Sequence, residues 1–452
     1  MLGVAPFIFG STVLGLAACV LAQEPTEKKP AAAENPAPTA EATVRKSSYS
    51  LPPGFAGYLT VESAITTKID PSRNTKSVQP GYLGISLDTD GGGNVVVAAV
   101  ADAVIMVEYP DVKHSDKTHT QVWSDSFFST GTYTGKHSLG QQVFGSLNDY
   151  FREQSFGKLR VEGKVFDWIE VSKKRVDYQQ GTSKTPFLTE SLDKLLARDG
   201  KDVLKDFDGL MFIYAGGRVP GTNRGALYWP HRANVTYQNK RWPYFIVDEG
   251  GDRMQNISVF CHEFGHMLGL PDLYARPEAP GSEGLGMWCA MSNQAGGGRP
   301  QHFSAWCKEQ LGWIDPAVID PTVKQKLILA PVEESPRECF KVLVRPDGSE
   351  YLLLESRAKK GFDESIPADG LLIWRVVQRR PILEESHGVA GPVGPQVFSG
   401  SVPYPSAANG SFTPYTTPSS RSQLGGGLPV YITNIRRLDG GRIGFEIGYE
   451  YQ

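Results

Sequence analysis

Asn256-Ile-Ser-Val-Phe-Cys-His-Glu-Phe-Gly-His-Met-Leu-Gly-Leu-Pro-Asp-Leu-Tyr274 is the stretch from which the rest of the chain is read. Ile257, Val259, Phe260, Phe264, Met267 and Leu268 lay down an apolar stripe, Asn256 offers a cap, and Gly269 followed by Pro271 offers a stop. The pattern predicts a helix. Four residues advance a helix by about 400°, so His262 and His266 stack one turn apart on one face. Two neutral imidazoles placed in this way reach one cation, and His262-Glu263-x-x-His266 is the ligand spacing of zinc hydrolases. Glu263 is then expected to be the base for a zinc-activated water. A catalytic zinc takes three protein ligands and keeps one position open. Asp272 is the first hard anionic oxygen beyond the sharp turn that Gly269 permits, and is the expected third ligand. Glu278 and Glu283 compete for that role. The plain alternative is a structural helix with two hydrogen-bonded core histidines.

The pattern H-E-x-x-H-x-x-G-x-x-D resembles the long metzincin signature with aspartate in place of its last histidine. The segment from His262 to Tyr274 is similar to the active-site segment of the immune inhibitor A family of secreted bacterial zinc metallopeptidases. Upstream, Val104-Ile-Met-Val-Glu-Tyr-Pro-Asp111 resembles that family's first catalytic strand, and Asn148-Asp-Tyr-Phe-Arg-Glu-Gln-Ser-Phe-Gly-Lys-Leu159 its helix and the turn that follows. Downstream, Trp288-Cys-Ala-Met-Ser292, Ser304-Ala-Trp-Cys-Lys308 with Leu311-Gly-Trp313, and Tyr351-Leu-Leu-Leu-Glu-Ser-Arg357 extend the likeness. It covers roughly residues 103 to 380.

The resemblance implies an α+β fold: a zincin-type catalytic domain with an active-site helix and a methionine turn, followed by a β-rich C-terminal subdomain. It implies a secreted zinc endopeptidase acting on protein or peptide substrates. Within Gly284-Leu-Gly-Met-Trp-Cys-Ala-Met-Ser-Asn293, Met291 takes the place of the methionine that forms an apolar floor beneath the metal. The alternative is that Met287 and Met291 simply pack. Tyr274 takes the place of a tyrosine that donates a proton to the oxyanion in some metzincins. A catalytically inactive exported peptide-binding protein on the same fold, and a zinc hydrolase of small amides, are the rival functions.

Taken in order, residues 1–22 read as a signal peptide, apolar and uncharged from Gly3 to Ala22 but without a basic residue before the core. Val20-Leu-Ala22 suits ordinary cleavage, whereas Leu16-Ala-Ala-Cys19 resembles a lipoprotein box that would leave Cys19 lipidated. Membrane association is expected only through that lipid or an uncleaved segment. Residues 23–51, rich in Pro, Ala and Glu, read as a disordered linker or part of a propeptide. Residues 52–101 read as a β-rich module resembling the opening half of a PDZ domain, and Asp88-Thr-Asp-Gly-Gly-Gly-Asn94 as a hairpin turn or a calcium loop. The catalytic domain is placed at 102–315. Strands are expected near 103–109, 158–172 and 209–215, and helices over Leu139–Gln154, Leu188–Arg198 and Ser304–Leu311. An edge strand over the active-site helix would pair with an extended substrate.

Tyr228-Trp-Pro-His-Arg232 offers His231 or Arg232 to substrate, or else is a packed aromatic loop with a solvated Arg. His302 is expected to satisfy a hydrogen bond and not to bind zinc. Residues 316–452 show strand patterns at 325–329, 340–344, 351–355, 371–377 and 431–435, broken by Gly and Pro from Val389 to Gly427. Phe362-Asp-Glu-Ser-Ile-Pro-Ala-Asp-Gly370 reads as a solvated acidic turn or a structural calcium site. Once Cys19 is set aside, Cys261, Cys289, Cys307 and Cys339 permit three pairings or none. A net charge of -3 over 452 residues gives no electrostatic case for nucleic acid.

Overall fold

Runs with no polar alternation, such as Gly209-Leu-Met-Phe-Ile-Tyr214, mark strands covered on both faces, and they form the inside of a largely parallel sheet. The computed structural model describes residues 51–67, 98–180, 183–220, 225–274, 284–389 and 398–448. The expected signal peptide, nearly all of the linker, Cys19, the 88–94 turn, Glu278 and Glu283 lie outside the described residues. The first half runs β1 (Ala98–Glu108), α1 (Thr120–Phe128), β2 (Thr134–Lys136), β3 (Gln142–Phe144), α2 (Leu147–Gln154), β4 (Leu159–Glu170), α3 (Thr185–Asp199), β5 (Gly209–Tyr214), β6 (His231–Tyr237), β7 (Lys240–Asp248) and α4 (Ile257–Met267). Its sheet has the order β4-β1-β5-β7-β6, with β6 on one edge and antiparallel to β7.

One face is buried by Trp123 and Phe127 of α1, Tyr150 and Phe151 of α2, and Phe260 and Phe264 of α4. The other is buried by Leu188, Leu192 and Leu195 of α3. The architecture is mixed α+β, as the sequence led us to expect.

The second half runs α5 (Ala305–Gln310), β8 (Ala317–Ile319), β9 (Gln325–Leu329), β10 (Cys339–Leu343), β11 (Glu350–Arg357), β12 (Gly370–Val377), β13 (Arg380–Leu383), β14 (Ile432–Arg437) and β15 (Ile443–Ile447). A five-stranded sheet, β13-β12-β11-β10-β8, packs on a three-stranded one, β14-β15-β9, with Leu327, Phe340, Leu352, Ile373 and Phe445 between them. The opposite face of β11 and β12 sends Leu353 and Trp374 into the core that holds α4, so residues on both sides of position 315 share one apolar interior. Residues 51–67, the described part of the expected 52–101 module, lie on the three-stranded sheet: Leu59 N–H donates to Lys326 O at 2.7 Å, and Val61 joins its core. Among the described residues no helix is long and apolar enough to cross a membrane.

Two expectations need correction. The helix expected from Leu139 starts only at Leu147. Gln142–Phe144 pairs with Thr134–Lys136, and Ser146 with Asp149 forms a capping box that fixes the start. Helix α1 has no side-chain cap, the signal that would have marked its start. The 362–370 segment is not a solvated turn. Asp363 is fully buried on a 3-10 turn, and its Oδ2 accepts from Arg357 Nε at 2.6 Å, so a guanidinium takes the carboxylate that calcium would have used. Cys261, Cys289, Cys307 and Cys339 are free and buried, with the Cys289 and Cys307 sulfurs 3.7 Å apart.

Candidate active site

Helix α4 begins where the Asn256 side chain accepts from Ser258 N–H at 3.0 Å, and Ile257, Phe260, Phe264 and Met267 anchor it under the sheet. Gly269, at φ 99°, lets the chain leave the helix through a left-handed turn. The turn is closed by Leu270 N–H donating to Gly265 O at 3.1 Å, and Asp272 comes back under the histidines.

His262 Nδ1 lies 2.8 Å from Ala290 O, and His266 Nδ1 lies 2.7 Å from Leu270 O. A carbonyl oxygen can only accept, so each Nδ1 carries its proton and each Nε2 of a neutral ring turns a lone pair outward. The two Nε2 atoms converge on a single oxygen, Asp272 Oδ1, at 3.2 Å from His262 and 3.0 Å from His266. Burial pushes the Asp272 carboxyl up, but the two imidazoles that face it outweigh this and hold the group far below the usual carboxylate range. Three electron-rich atoms facing one point repel unless positive charge lies among them. Ligands on a tetrahedral zinc with bonds of about 2.0–2.2 Å are separated by about 3.3 Å, so the residues present fit such an ion.

Glu263 is buried behind this cluster, and its Oε2 has no hydrogen-bond partner. Burial raises its pKa against the opposing pull of the two imidazoles. Beneath the helix Met291 is fully buried, and a Cβ added at Gly265 would overlap its Sδ. The Tyr274 ring stacks beside His262 with centroids 6.0 Å apart. His262, Glu263, His266, Asp272 and Tyr274 line a cleft of about 930 Å³ whose far wall includes Trp229, His231 and Arg232.

The aromatic cluster is packed, but its Arg is half-buried and not solvated: Tyr228 is buried, and His231 and Arg232 open the edge strand β6. His231 Nδ1 donates to Trp229 O, its Nε2 accepts from Lys184 Nζ at 2.9 Å, and burial lowers its pKa to about 4. His302 is elsewhere, with Nε2 donating to Glu153 at 2.6 Å and Nδ1 accepting from Lys308 at 2.8 Å. His302, Glu333 and Asp363 also approach one another within 4.8 Å, but the Arg357 and Lys308 cations already sit among them. The carbonyls of Ala290 and Leu270, which set both tautomers, escaped the sequence reading because a backbone oxygen leaves no mark on residue type.

The profile described as Immune inhibitor A peptidase M6, catalytic domain, matches residues 99–208 and 230–314. Among curated proteins, Pre-pro-metalloprotease PrtV of Vibrio cholerae serotype O1 is 26% identical over 272 residues, covering 46% of this chain and 29% of that protein. Immune inhibitor A of Bacillus thuringiensis subsp. alesti is 27% identical over 270 residues, covering 46% of this chain and 38% of that one. The match thus spans well under half the length of either relative. Residues 99–208 and 230–314 are thus similar to the catalytic domain of the immune inhibitor A peptidases.

Proposed function

We propose that the protein is an exported zinc-dependent endopeptidase. The observation that carries this reading is the convergence of His262 Nε2, His266 Nε2 and Asp272 Oδ1 beside the unpartnered, buried Glu263 Oε2. His262, His266 and Asp272 hold the ion. Zinc bound there supplies Lewis acidity, polarising a carbonyl oxygen and bringing the pKa of water toward about 7. Glu263 Oε2 accepts the proton of the attacking water and passes it to the leaving amine. The Ala290 and Leu270 carbonyls keep both imidazoles turned so that Nε2 faces the centre. Met291 forms the apolar floor of a methionine turn, and Tyr274 donates a hydrogen bond to the developing oxyanion. The substrate lies extended against β6, the edge strand of the catalytic sheet.

The test is to purify the chain from residue 23, measure bound zinc, and follow casein hydrolysis by the parent and by Glu263→Gln. The expected result is stoichiometric zinc in both and a fall in turnover of roughly 10²–10⁴-fold in the variant. His262→Ala should lose zinc and turnover together. Equal turnover with Gln at 263 would remove the proposed base, and a protein that binds no zinc would remove the reading altogether.

A further inference from the structure

The wall of the cleft, among the described residues, contains an exposed cation that makes no hydrogen bond. Arg218 follows β5 and is exposed, and its guanidinium carbon stands 4.2 Å from the centroid of the half-buried Trp229 ring. Among the described residues that guanidinium makes no ion pair and no hydrogen bond. Asp248 feels its charge without pairing to it, and the Asp248 oxygens instead lie 3.4 Å from the Gln255 amide.

Arg218 also occupies a junction. It lines the catalytic cleft, and it lines a second cavity of about 820 Å³ formed where β1, β5 and β7 end, between Ser115, Asp248, Gly250 and Met254. The acids in the cleft lining, Glu263 and Asp272, both belong to the proposed centre, so neither is available to neutralise this cation. Arg218 and Trp229 fall in the interval between the two stretches that match the family profile, so this part of the wall is outside what the family pattern specifies.

We propose that Arg218, braced on Trp229, is a subsite for a carboxylate of the substrate, supplied by an aspartate or glutamate side chain near the scissile bond. The proposal rests on the endopeptidase reading above. A guanidinium stacked on an indole has its plane fixed in advance, so little side-chain freedom is lost when it binds. Its N–H groups match a carboxylate two at a time, and such charge-assisted pairs are stronger than neutral ones. The subsite therefore selects among substrates and does not touch the reacting bond.

The experiment uses zinc-loaded full-length enzyme and pairs of internally quenched, carboxy-terminally amidated peptides that differ by Glu or Gln at each position flanking the scissile bond. For the parent, the ratio of kcat/KM for Glu over Gln should exceed one at a single position, mainly through KM. In Arg218→Gln that ratio should fall roughly tenfold, and in Arg218→Glu it should invert and favour Gln. Trp229→Leu should give an intermediate loss, and thermal melts certify that each variant is folded. Unchanged Glu-to-Gln ratios in folded Arg218→Gln, while casein is still cleaved, overturn the subsite and leave the endopeptidase reading intact. Failure of the parent to cleave casein or any peptide overturns that reading instead. A preference that appears only when the carboxy terminus is left free overturns the side-chain source in favour of a chain-end carboxylate.

Discussion

Gly265 stands between the two histidines on α4, and its missing side chain is what allows Met291 to come up beneath the helix. A methyl group there has no room, because the sulfur is fully buried and walled by the helix. Gly265→Ala should cost about 1–3 kcal/mol despite the better helix propensity of alanine, and should weaken zinc retention in a chelator titration. A loss of stability without any change in metal affinity would mean that the floor does not hold the ligands. Asp102 is another residue whose neighbourhood matters more than its type. It is fully buried on β1, neither side-chain oxygen has a partner, and burial, with a smaller contribution from Asp208, pushes its pKa up to about 8. Between pH 4 and pH 8 the folded protein keeps a proton that the unfolded chain releases, so stability falls across that window as pH rises. Asp102→Asn should flatten the Tm profile there and raise Tm at pH 8 relative to the parent. At this scale the sequence was readable where spacing alone brings side chains together: His262, His266 and Asp272, named from spacing, converge on one point. It was silent where carbonyl oxygens did the work, and it gave no sign that Asp102 or Asp363 would be buried, because burial of a charge depends on partners distant in the chain.

Elements announced themselves where hydrophobic period and caps agreed. Helix α4 had both an apolar stripe and Asn256. The 139–154 region had the stripe, but the Ser146 to Asp149 box lay inside it, and a capping box outranks periodicity as a boundary signal. Ser146 also donates to Ser129 O, tying α2 to the end of α1. Ser146→Ala should therefore lower stability by about 1 kcal/mol, read as a shift in the urea midpoint at constant m-value. An unchanged midpoint would show that the cap is redundant with the packing of Tyr150 and Phe151. The hairpin of β6 and β7 was the element least visible from sequence. Its turn residues Gln238 and Asn239 both take positive φ, which asparagine advertises and glutamine does not.

Across the whole molecule, the catalytic half and the β-rich half meet through a buried charged joint as well as through a common core. Arg357 on β11 lies among Asp363, Glu355 and Glu333, and also donates to Trp288 O at 3.2 Å, just before the loop that carries Ala290 and Met291. Burial raises the Asp363 carboxyl, yet the Arg357 charge prevails and holds it at about 2. The folded value lies below the unfolded one, so this stability is fully present above pH 4 and is lost as pH falls through 2. Asp363→Asn should cost about 3 kcal/mol, near the low end for a broken buried pair because Glu355 and Glu333 remain beside the guanidinium. It should also flatten the acid limb of the Tm profile between pH 4 and pH 2. An acid limb identical to that of the parent would place the acid sensitivity elsewhere. This joint was not legible in advance, since Glu350, Glu355 and Arg357 on the 350–357 strand read as solvated charges, whereas all eight residues are buried.

The segment at 51–67 has a temporal consequence. Leu59 is sandwiched by backbone bonds to Lys326 and Ile328, Phe55 and Tyr58 fit against Gly444, and β9 is completed by β15. Three stretches separated by hundreds of positions must assemble at one spot, and such distant pairings form late because long loops have to close first. A chain that emerges amino end first thus waits, without partners for its opening segment, until β15 follows. On the proposed endopeptidase reading, unfinished copies are then extended polypeptide beside finished neighbours, so the yield of intact protein should decline as synthesis becomes more crowded.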